Sequence, residues 1–151
     1  MIQTILSGDR KYRYALWREW PAGDGRYVMF IGLNPSTADE TNDDPTIRRC
    51  IQFSKDWGFS ALCMVNLFAY RATDPQDMKV AFDPIGPEND RWLYTLAKDA
   101  GNVIAAWGAE GKFMSRDRTV EKILTGMACL GTTKFGHPRH PLYVKATTPL
   151  I

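Results

Sequence analysis

A run of apolar residues at positions 27–31 ends abruptly in a short segment with polar side chains. That segment is Gly32, Leu33, Asn34, Pro35 and Ser36. An apolar, aromatic run that stops at Gly and Pro is typical of a buried strand that delivers its last residues to a loop. Ligands of open α/β sheets bind outside the carboxyl ends of such strands, so these residues are the first candidates for a site. The alternative is an ordinary turn, which the same residue types also form.

A second polar side chain, Asn66, interrupts the apolar segment at residues 59–68. A buried amide must be hydrogen-bonded, and an amide at a strand end can offer a donor and an acceptor to a ligand. The alternative is an amide that only bonds to the backbone where the strand ends. Asn66 is therefore a candidate for ligand recognition.

Both histidines of the protein lie in one phrase, GHPRHPLY, at residues 136–143. The phrase follows the last predicted strand, so His137 and His140 are expected at the same sheet edge as Asn34. Histidine is suited to donating a proton or a hydrogen bond near neutral pH. A zinc site is not expected, because the intervening prolines prevent the helix that would aim both rings at one ion.

The elements that must position these residues alternate between strands and helices. The segments predicted as strands are 12–17, 27–33, 59–68, 102–107 and 127–130. The segments predicted as helices are 46–57 (capped by Asp44), 86–100 and about 112–124. The first strand is expected to turn back antiparallel onto the second and to form a sheet edge, whereas helical crossovers make the later strands parallel. The pattern predicts a three-layer αβα sandwich, with a mainly parallel central sheet of about four strands plus an N-terminal antiparallel edge strand.

Length and composition restrict the class of protein. The 151 residues fit one domain covering the whole chain, and 44% hydrophobic with 24% charged residues is typical of a soluble globular protein. A net charge of +2 permits contact with a polyanion without requiring it. No apolar run approaches the length of a membrane span, and Met1–Ser7 is too short and too uncharged for a secretory signal. We therefore expect a cytoplasmic protein with no membrane association. Its three cysteines match neither a CxxC pair nor a zinc pattern and are predicted to be reduced thiols.

Three segments, taken in their order, resemble the signature motifs of the uracil-DNA glycosylase superfamily. GLNPS resembles the motif of its mismatch-specific and thymine-DNA branches, VNLFAYRATDP the strand and loop that read the base, and HPRHPLY the closing motif with the catalytic histidine. NVIAAWGAEG resembles the strand and turn before the penultimate helix, so the resemblance extends from Tyr27 to Tyr143. More closely, the sequence resembles a bacterial and phage domain family of unknown function. The pattern of that family is LNPSTAD, NDPTIRRC, VNLFAxRATDP, GPENDxWL and GHPRHPLY.

The glycosylase resemblance implies a glycosylase-like fold and hydrolysis of the N-glycosidic bond of a base or modified base, in DNA or in a nucleotide. Asn34 would orient the attacking water, and His137 would hydrogen-bond the departing base as charge develops on it. Asn66 would pair with the Watson–Crick edge of an extruded base. The aromatic residue that stacks on that base would be Phe68, Tyr70 or Phe53. Because an amide is not a strong general base, slow turnover is expected.

The resemblance also implies a wider binding surface. Gly32, Leu33, Pro35 and Ser36 would line the pocket with His140, and Leu142 takes the place of an inserted wedge. Arg71 and Arg139, on loops that border the predicted site, are the candidates for phosphate binding. No cofactor is expected, and the four-cysteine pattern of the iron-sulfur branches is missing from the sequence, so no iron-sulfur cluster is predicted.

Other charged residues have structural interpretations. The acidic group of Asp39, Glu40, Asp43 and Asp44 does not match a calcium loop and predicts a solvated turn with a helix cap. Arg48 and Arg49 are expected on a solvated helix face, with phosphate contact as the alternative.

Two other functions remain open at the level of sequence. One is a transferase or lyase that modifies a hypermodified pyrimidine in the same pocket. The other is a non-catalytic module that binds DNA or a nucleotide. The sequence does not fix the substrate or the oligomeric state.

Overall fold

One sheet of six strands and four α-helices make up the computed structural model, which describes residues 3–151. The strands are β1 (Ile5–Leu6), β2 (Arg13–Glu19), β3 (Tyr27–Gly32), β4 (Ala61–Asn66), β5 (Asn102–Ala105) and β6 (Ala128–Cys129). The α-helices are α1 (Pro45–Asp56), α2 (Pro75–Lys79), α3 (Asn89–Lys98) and α4 (Arg116–Ile123). Two 3₁₀-helices span Ala109–Ser115 and Pro141–Tyr143. The order of strands in the sheet is β1-β2-β4-β3-β5-β6.

Strands β3 to β6 run parallel to one another, as the helical crossovers predict. β3 lies between β4 and β5, with Gly32 paired with Asn66 and Ile31 paired with Ala105. The predicted α/β architecture with a mainly parallel sheet is thus confirmed. The carboxyl ends of β3 and β4 meet at the same edge of the sheet, because their last residues are direct partners in the ladder.

The predicted pairing of the first strand is wrong. β2 pairs antiparallel with β4, where Leu16 lies opposite Met64, and not with β3. It is not the edge strand either, because β1 pairs with its other side. The reason is that parallel neighbours occupy both sides of β3. The turn after β2 is tied instead to the start of β4, where the indole N–H of Trp20 donates to the Phe59 carbonyl at 2.8 Å.

Successive side chains of the sheet enter two apolar cores, one on each face. Val28 and Phe30 of β3 belong to the core that α1 completes. Met29 and Ile31 belong to the core that α2, α3 and α4 complete. A helical layer therefore lies on each face of the sheet. This arrangement is required because successive side chains of a central strand point to opposite faces and are all buried.

The start of α1 follows the sequence prediction. The Asp44 carboxylate accepts a hydrogen bond of 2.9 Å from the Ile47 backbone N–H, and Pro45 occupies the first turn. The helix predicted from about residue 112 is divided, because Met114 and Ser115 have positive φ angles of 56° and 53°. A 3₁₀-helix therefore precedes α4. The sequence interpretation included neither β1 nor α2.

Strand β4 is shorter than the predicted segment at residues 59–68, so Asn66 is its last residue. Within residues 3–151, no helix has the length and the apolar run that a membrane crossing requires. The expectation about Met1–Ser7 begins on two residues outside the described range. The cysteines are free thiols, and burial raises the pKa of Cys50 and of Cys63.

Candidate functional site

A cavity of about 610 Å³ opens where β3 and β4 end. Five parts of the chain surround it: the segments after β3, β4 and β5, the first turn of α1, and the loop that contains both histidines. Nine of the residues predicted for the site line this cavity. They are Gly32, Leu33, Asn34, Pro35, Ser36, Asn66, Arg139, His140 and Leu142. The cavity is thus the place where the sequence motifs converge.

The Asn66 side chain has an unused amide inside the protein. Asn66 is 2% exposed, and its amide nitrogen has no hydrogen-bond partner. No group within residues 3–151 donates to its amide oxygen either. A buried amide normally bonds to protein or water, so Asn66 remains a candidate for ligand recognition.

The backbone beside Asn66 is held by a second buried asparagine. The amide nitrogen of Asn89 donates to the carbonyl oxygens of Asn66 and Leu67, each at 3.0 Å. Asn89 therefore fixes the chain as it leaves β4. The alternative interpretation of Asn66 is an amide that bonds the backbone at the strand end. In this structure Asn89 makes those backbone hydrogen bonds.

Asn34 presents an acceptor to the same cavity. Its amide nitrogen donates to the carbonyl oxygen of Ala72 at 2.9 Å and to that of Pro35 at 3.2 Å. Because both partners are acceptors, the nitrogen must face them, and this assigns the orientation of the amide. Its oxygen accepts no hydrogen bond from residues 3–151 and can hold a water or a ligand donor.

The loops after β3 and β4 are joined by backbone hydrogen bonds. The N–H groups of Leu67 and Phe68 donate to the carbonyls of Gly32 and Leu33 at 2.9 and 3.0 Å. The Ala72 N–H donates to the Pro35 carbonyl at 2.9 Å. These contacts fix the two asparagines relative to each other, as a preorganised site requires.

His140 is the histidine that lines the cavity. Its Nδ1 accepts a hydrogen bond of 3.1 Å from the Leu142 backbone N–H, so in the neutral ring the proton lies on Nε2. Burial lowers the pKa of His140 and thereby favours the neutral ring. A neutral imidazole with a free Nε2–H is a hydrogen-bond donor for an atom on which negative charge develops.

His137 is placed elsewhere. It lines a separate depression with α4 residues that include Asp117 and Glu121. A narrow hairpin sets this direction: Thr132 bridges Pro138, the Thr133 N–H donates to the His137 carbonyl at 2.7 Å, and Gly136 has a positive φ of 83°. The structure thus does not bring His137 to the cavity with Asn34.

Phe68 and Arg71 also lie outside the cavity. Phe68 is completely buried and packs on Phe113, with ring centroids 5.5 Å apart, so its face is not open to a ligand. Arg71 lines an adjacent shallow depression together with Arg10 and Lys11. That depression shares Ser36, Ala72 and Thr73 with the cavity, so the basic surface continues from its rim.

Residues 13–142 match the family described as "Protein of unknown function (DUF1643)". The chain belongs to the DUF1643 family. The first and last residues of the matched span of this DUF1643 protein, Arg13 and Leu142, both line the cavity. No curated protein and no solved structure matches the chain.

Among the cavity residues of the DUF1643 protein that sequence reasoning missed are Arg13 and Trp107. Both are 2% exposed and line the cavity. Arg13 Nε and Trp107 Nε1 have no hydrogen-bond partner. The signal for Arg13 was the same as for Asn66, a polar side chain inside an apolar strand segment. Trp107 had no comparable signal, because a Trp at the end of a buried strand is also an ordinary core residue.

The buried groups without partners have a common character. Within residues 3–151, four buried side-chain polar atoms lack a partner, and three belong to residues that line this cavity. Those three, on Arg13, Asn66 and Trp107, are all N–H donors. The three residues that carry these unpartnered donors therefore meet around one cavity.

The closing loop is attached to α1 by Arg49. Its guanidinium donates to the carbonyl oxygens of Pro141, at 3.2 Å, and Val144. Arg49 also lies over the ring of Phe53, 5.7 Å from its centroid. The expectation of a solvated face is therefore wrong for Arg49, because the loop lies against the helix there.

The acidic residues before α1 have structural partners. Asp39 accepts from the backbone N–H groups of Thr41 and Asn42, and these bonds lower its pKa to about 2. Glu40 pairs with Arg10, Asp43 pairs with Arg18, and Asp44 caps α1. The predicted turn with a helix cap is thus confirmed.

Proposed function

We propose that this DUF1643 protein is an enzyme that hydrolyses the N-glycosidic bond of a base or modified base, in DNA or in a nucleotide. The observation that carries the proposal is the buried amide of Asn66, whose donor and acceptor are both unused in a cavity that Asn34 also lines. A base edge offers a matching acceptor and donor side by side. The resemblance of the three motifs to the uracil-DNA glycosylase superfamily supports the same assignment of roles.

Each cavity group has a role in this reaction. Bond cleavage leaves positive charge on the sugar and negative charge on the base, so donors near the base stabilise the departing anion. The Nε2–H of His140 and the amide nitrogen of Asn66 are such donors. The free oxygen of Asn34 would accept a hydrogen bond from the attacking water and orient it. No strong general base is assigned, so the expected turnover is slow unless the base is a good leaving group.

The two histidines offer a test within one loop. The motif resemblance implies that His137 is the catalytic histidine. His140, however, is the histidine that lines the cavity, and His137 lines a separate depression. We assign the role to His140 because a group must come within hydrogen-bond reach of the base to stabilise it. His140→Ala should lower base release far more than His137→Ala.

The experiment is mass spectrometry of free bases after incubation with DNA and with nucleotide pools that contain uracil, damaged bases and hypermodified pyrimidines. The wild type should release a base, and Asn34→Ala should lower the rate by about 10²-fold or more, as loss of a positioned catalytic group does. Asn102→Ala is the matched control, because Asn102 lies at the amino end of β5, away from the cavity. Release that is equal in the wild type and Asn34→Ala would refute the assigned role.

A non-catalytic module that binds a base or nucleotide is the second candidate. It is favoured by one observation: the three unpartnered buried groups are donors suited to binding, and none of them is a base that could activate water. Binding without base release, lost in Asn66→Ala, would support the module against the enzyme.

A further inference from the structure

Arg13 is a buried cation without a carboxylate partner. Its side chain is among the largest fully buried ones, and its Nη1 donates a hydrogen bond of 3.0 Å to the Ala38 carbonyl. Among residues 3–151, no carboxylate lies within ion-pair distance of it. Burial lowers the pKa of Arg13 to about 10, so the guanidinium stays charged at neutral pH.

A second buried arginine shows how such a charge is normally stabilised. Arg116 is equally buried, at 2% exposed, but its Nε donates to the Leu67 carbonyl at 2.8 Å and its Nη2 pairs with Asp90. Burying an unpaired charge is costly in free energy, whereas a paired and hydrogen-bonded charge offsets that cost. Arg13 therefore lacks the compensation that Arg116 has.

The position of Arg13 indicates what completes its environment. It lines the cavity together with Asn66 and Trp107, which add further N–H donors. Thr46, in the first turn of the twelve-residue helix α1, lines the same cavity, and a helix N-terminus favours negative charge. Asp44 also lines the cavity, but its carboxylate is engaged by the Ile47 N–H and lies beyond ion-pair distance of Arg13.

We infer that the ligand of this cavity carries an oxyanion group and that the Arg13 guanidinium binds it. The inference rests on the proposed function in taking the ligand to be a pyrimidine base or its nucleotide. Two sources supply such a group: the phosphate of a nucleotide and an acidic substituent on the base. A guanidinium suits both, because its N–H groups match the two oxygens of a carboxylate or phosphate.

The test compares matched neutral and anionic ligands by calorimetry. One pair is deoxyuridine and deoxyuridine 5′-monophosphate, and the other is uracil and orotate, its 6-carboxylate. In the wild type, the anionic member of one pair should bind at least about tenfold more tightly than the neutral member, as one charge-assisted contact provides. Preference within the first pair identifies a phosphate, and preference within the second identifies an acidic base.

Variants assign the preference to Arg13. Arg13→Met should abolish it, Arg13→Lys should retain a part of it, and Arg116→Met should keep it. Equal affinity for the neutral and the anionic member of both pairs would overturn the inference. This measurement uses only the wild type, so it does not depend on whether a variant folds. A preference that survives in Arg13→Met would overturn it as well.

The inference and the proposed function can fail separately. Base release without any oxyanion preference would refute the inference and leave the proposed function intact. An Arg13-dependent preference without base release would refute the enzyme and leave the inference intact.

Discussion

Gly32 and Asn66 are direct partners in the parallel ladder of β3 and β4, and a Cβ atom at residue 32 would lie 2.8 Å from the Asn66 amide oxygen. The same Cβ would lie 2.8 Å from the Met64 Cε atom. Gly32 thus leaves room for the Asn66 amide at the floor of the cavity. A side chain at residue 32 would therefore have to displace the Asn66 amide and the Met64 methyl group.

We predict that Gly32→Ala displaces the Asn66 amide. Overpacking of a buried site typically costs about 1–3 kcal/mol of unfolding free energy, and the affinity for a base should fall with it. Gly8→Ala is the control, because no heavy atom lies within 4 Å of its added Cβ. Calorimetric binding and urea denaturation of the two variants would measure both effects. Unchanged affinity in Gly32→Ala would contradict the role of this contact.

We predict opposite effects for two neighbouring buried asparagines. Asn66→Ala should weaken ligand binding by about tenfold or more while leaving the unfolding free energy nearly unchanged, because its amide has no protein partner to lose. Asn89→Ala should cost about 1–3 kcal/mol, because the Asn66 carbonyl loses a side-chain donor and the Leu67 carbonyl keeps only the Arg116 Nε donor. Urea denaturation and ligand titration of both variants check this. A large loss of stability in Asn66→Ala would indicate a structural role instead.

Much of the site follows from local sequence signals. Asn34 and Asn66 could be predicted because each marks the end of an apolar strand, and parallel strands bring such ends to one edge. The sequence marks Arg13 as a polar residue in a strand but does not place it at the cavity, because that position depends on β2 pairing with β4 instead of β3. That choice is a long-range one, and the turn between β2 and β3 does not reveal it.

The two histidines show a second limit. His137 and His140 are three residues apart in a proline-rich loop, without a helical or strand period to orient them. Their directions depend on the positive φ of Gly136 and on the bridge between Thr132 and Pro138. Neither feature could be derived from the residue types alone.

We predict that Arg13→Met changes the unfolding free energy by less than about 1 kcal/mol, or stabilises the protein. Replacing a buried charge that has no carboxylate partner by an apolar side chain of similar length removes a desolvation cost, which offsets the loss of the hydrogen bond to the Ala38 carbonyl. Arg116→Met should instead destabilise by about 3 kcal/mol, because it removes one partner of an established network. Chemical denaturation at pH 7 measures the unfolding free energy of both variants. A larger decrease in Arg13→Met than in Arg116→Met would show that the Arg13 charge is compensated inside the protein.

His140 should make stability depend on pH. Its pKa is lowered in the folded protein, mainly by burial, so the unfolded chain binds the proton more readily. The contribution of His140 is therefore complete above the ordinary pKa of about 6.5 and is lost as the pH falls through the lower folded value. Denaturation at pH 7.5, 6.5 and 5.5 should show that the unfolding free energy of the wild type decreases as the pH falls. The decrease should be smaller in His140→Gln. His137→Gln is the control on the same loop, and an identical pH dependence in wild type and His140→Gln would refute the assignment.

The most direct test of the central claim is the time course of base release by the wild type, Asn34→Ala and the control Asn102→Ala. The account predicts a slow release of free base that the control retains and that Asn34→Ala lowers by about 10²-fold or more. No release of any base by the wild type, or equal release by all three proteins, would contradict it.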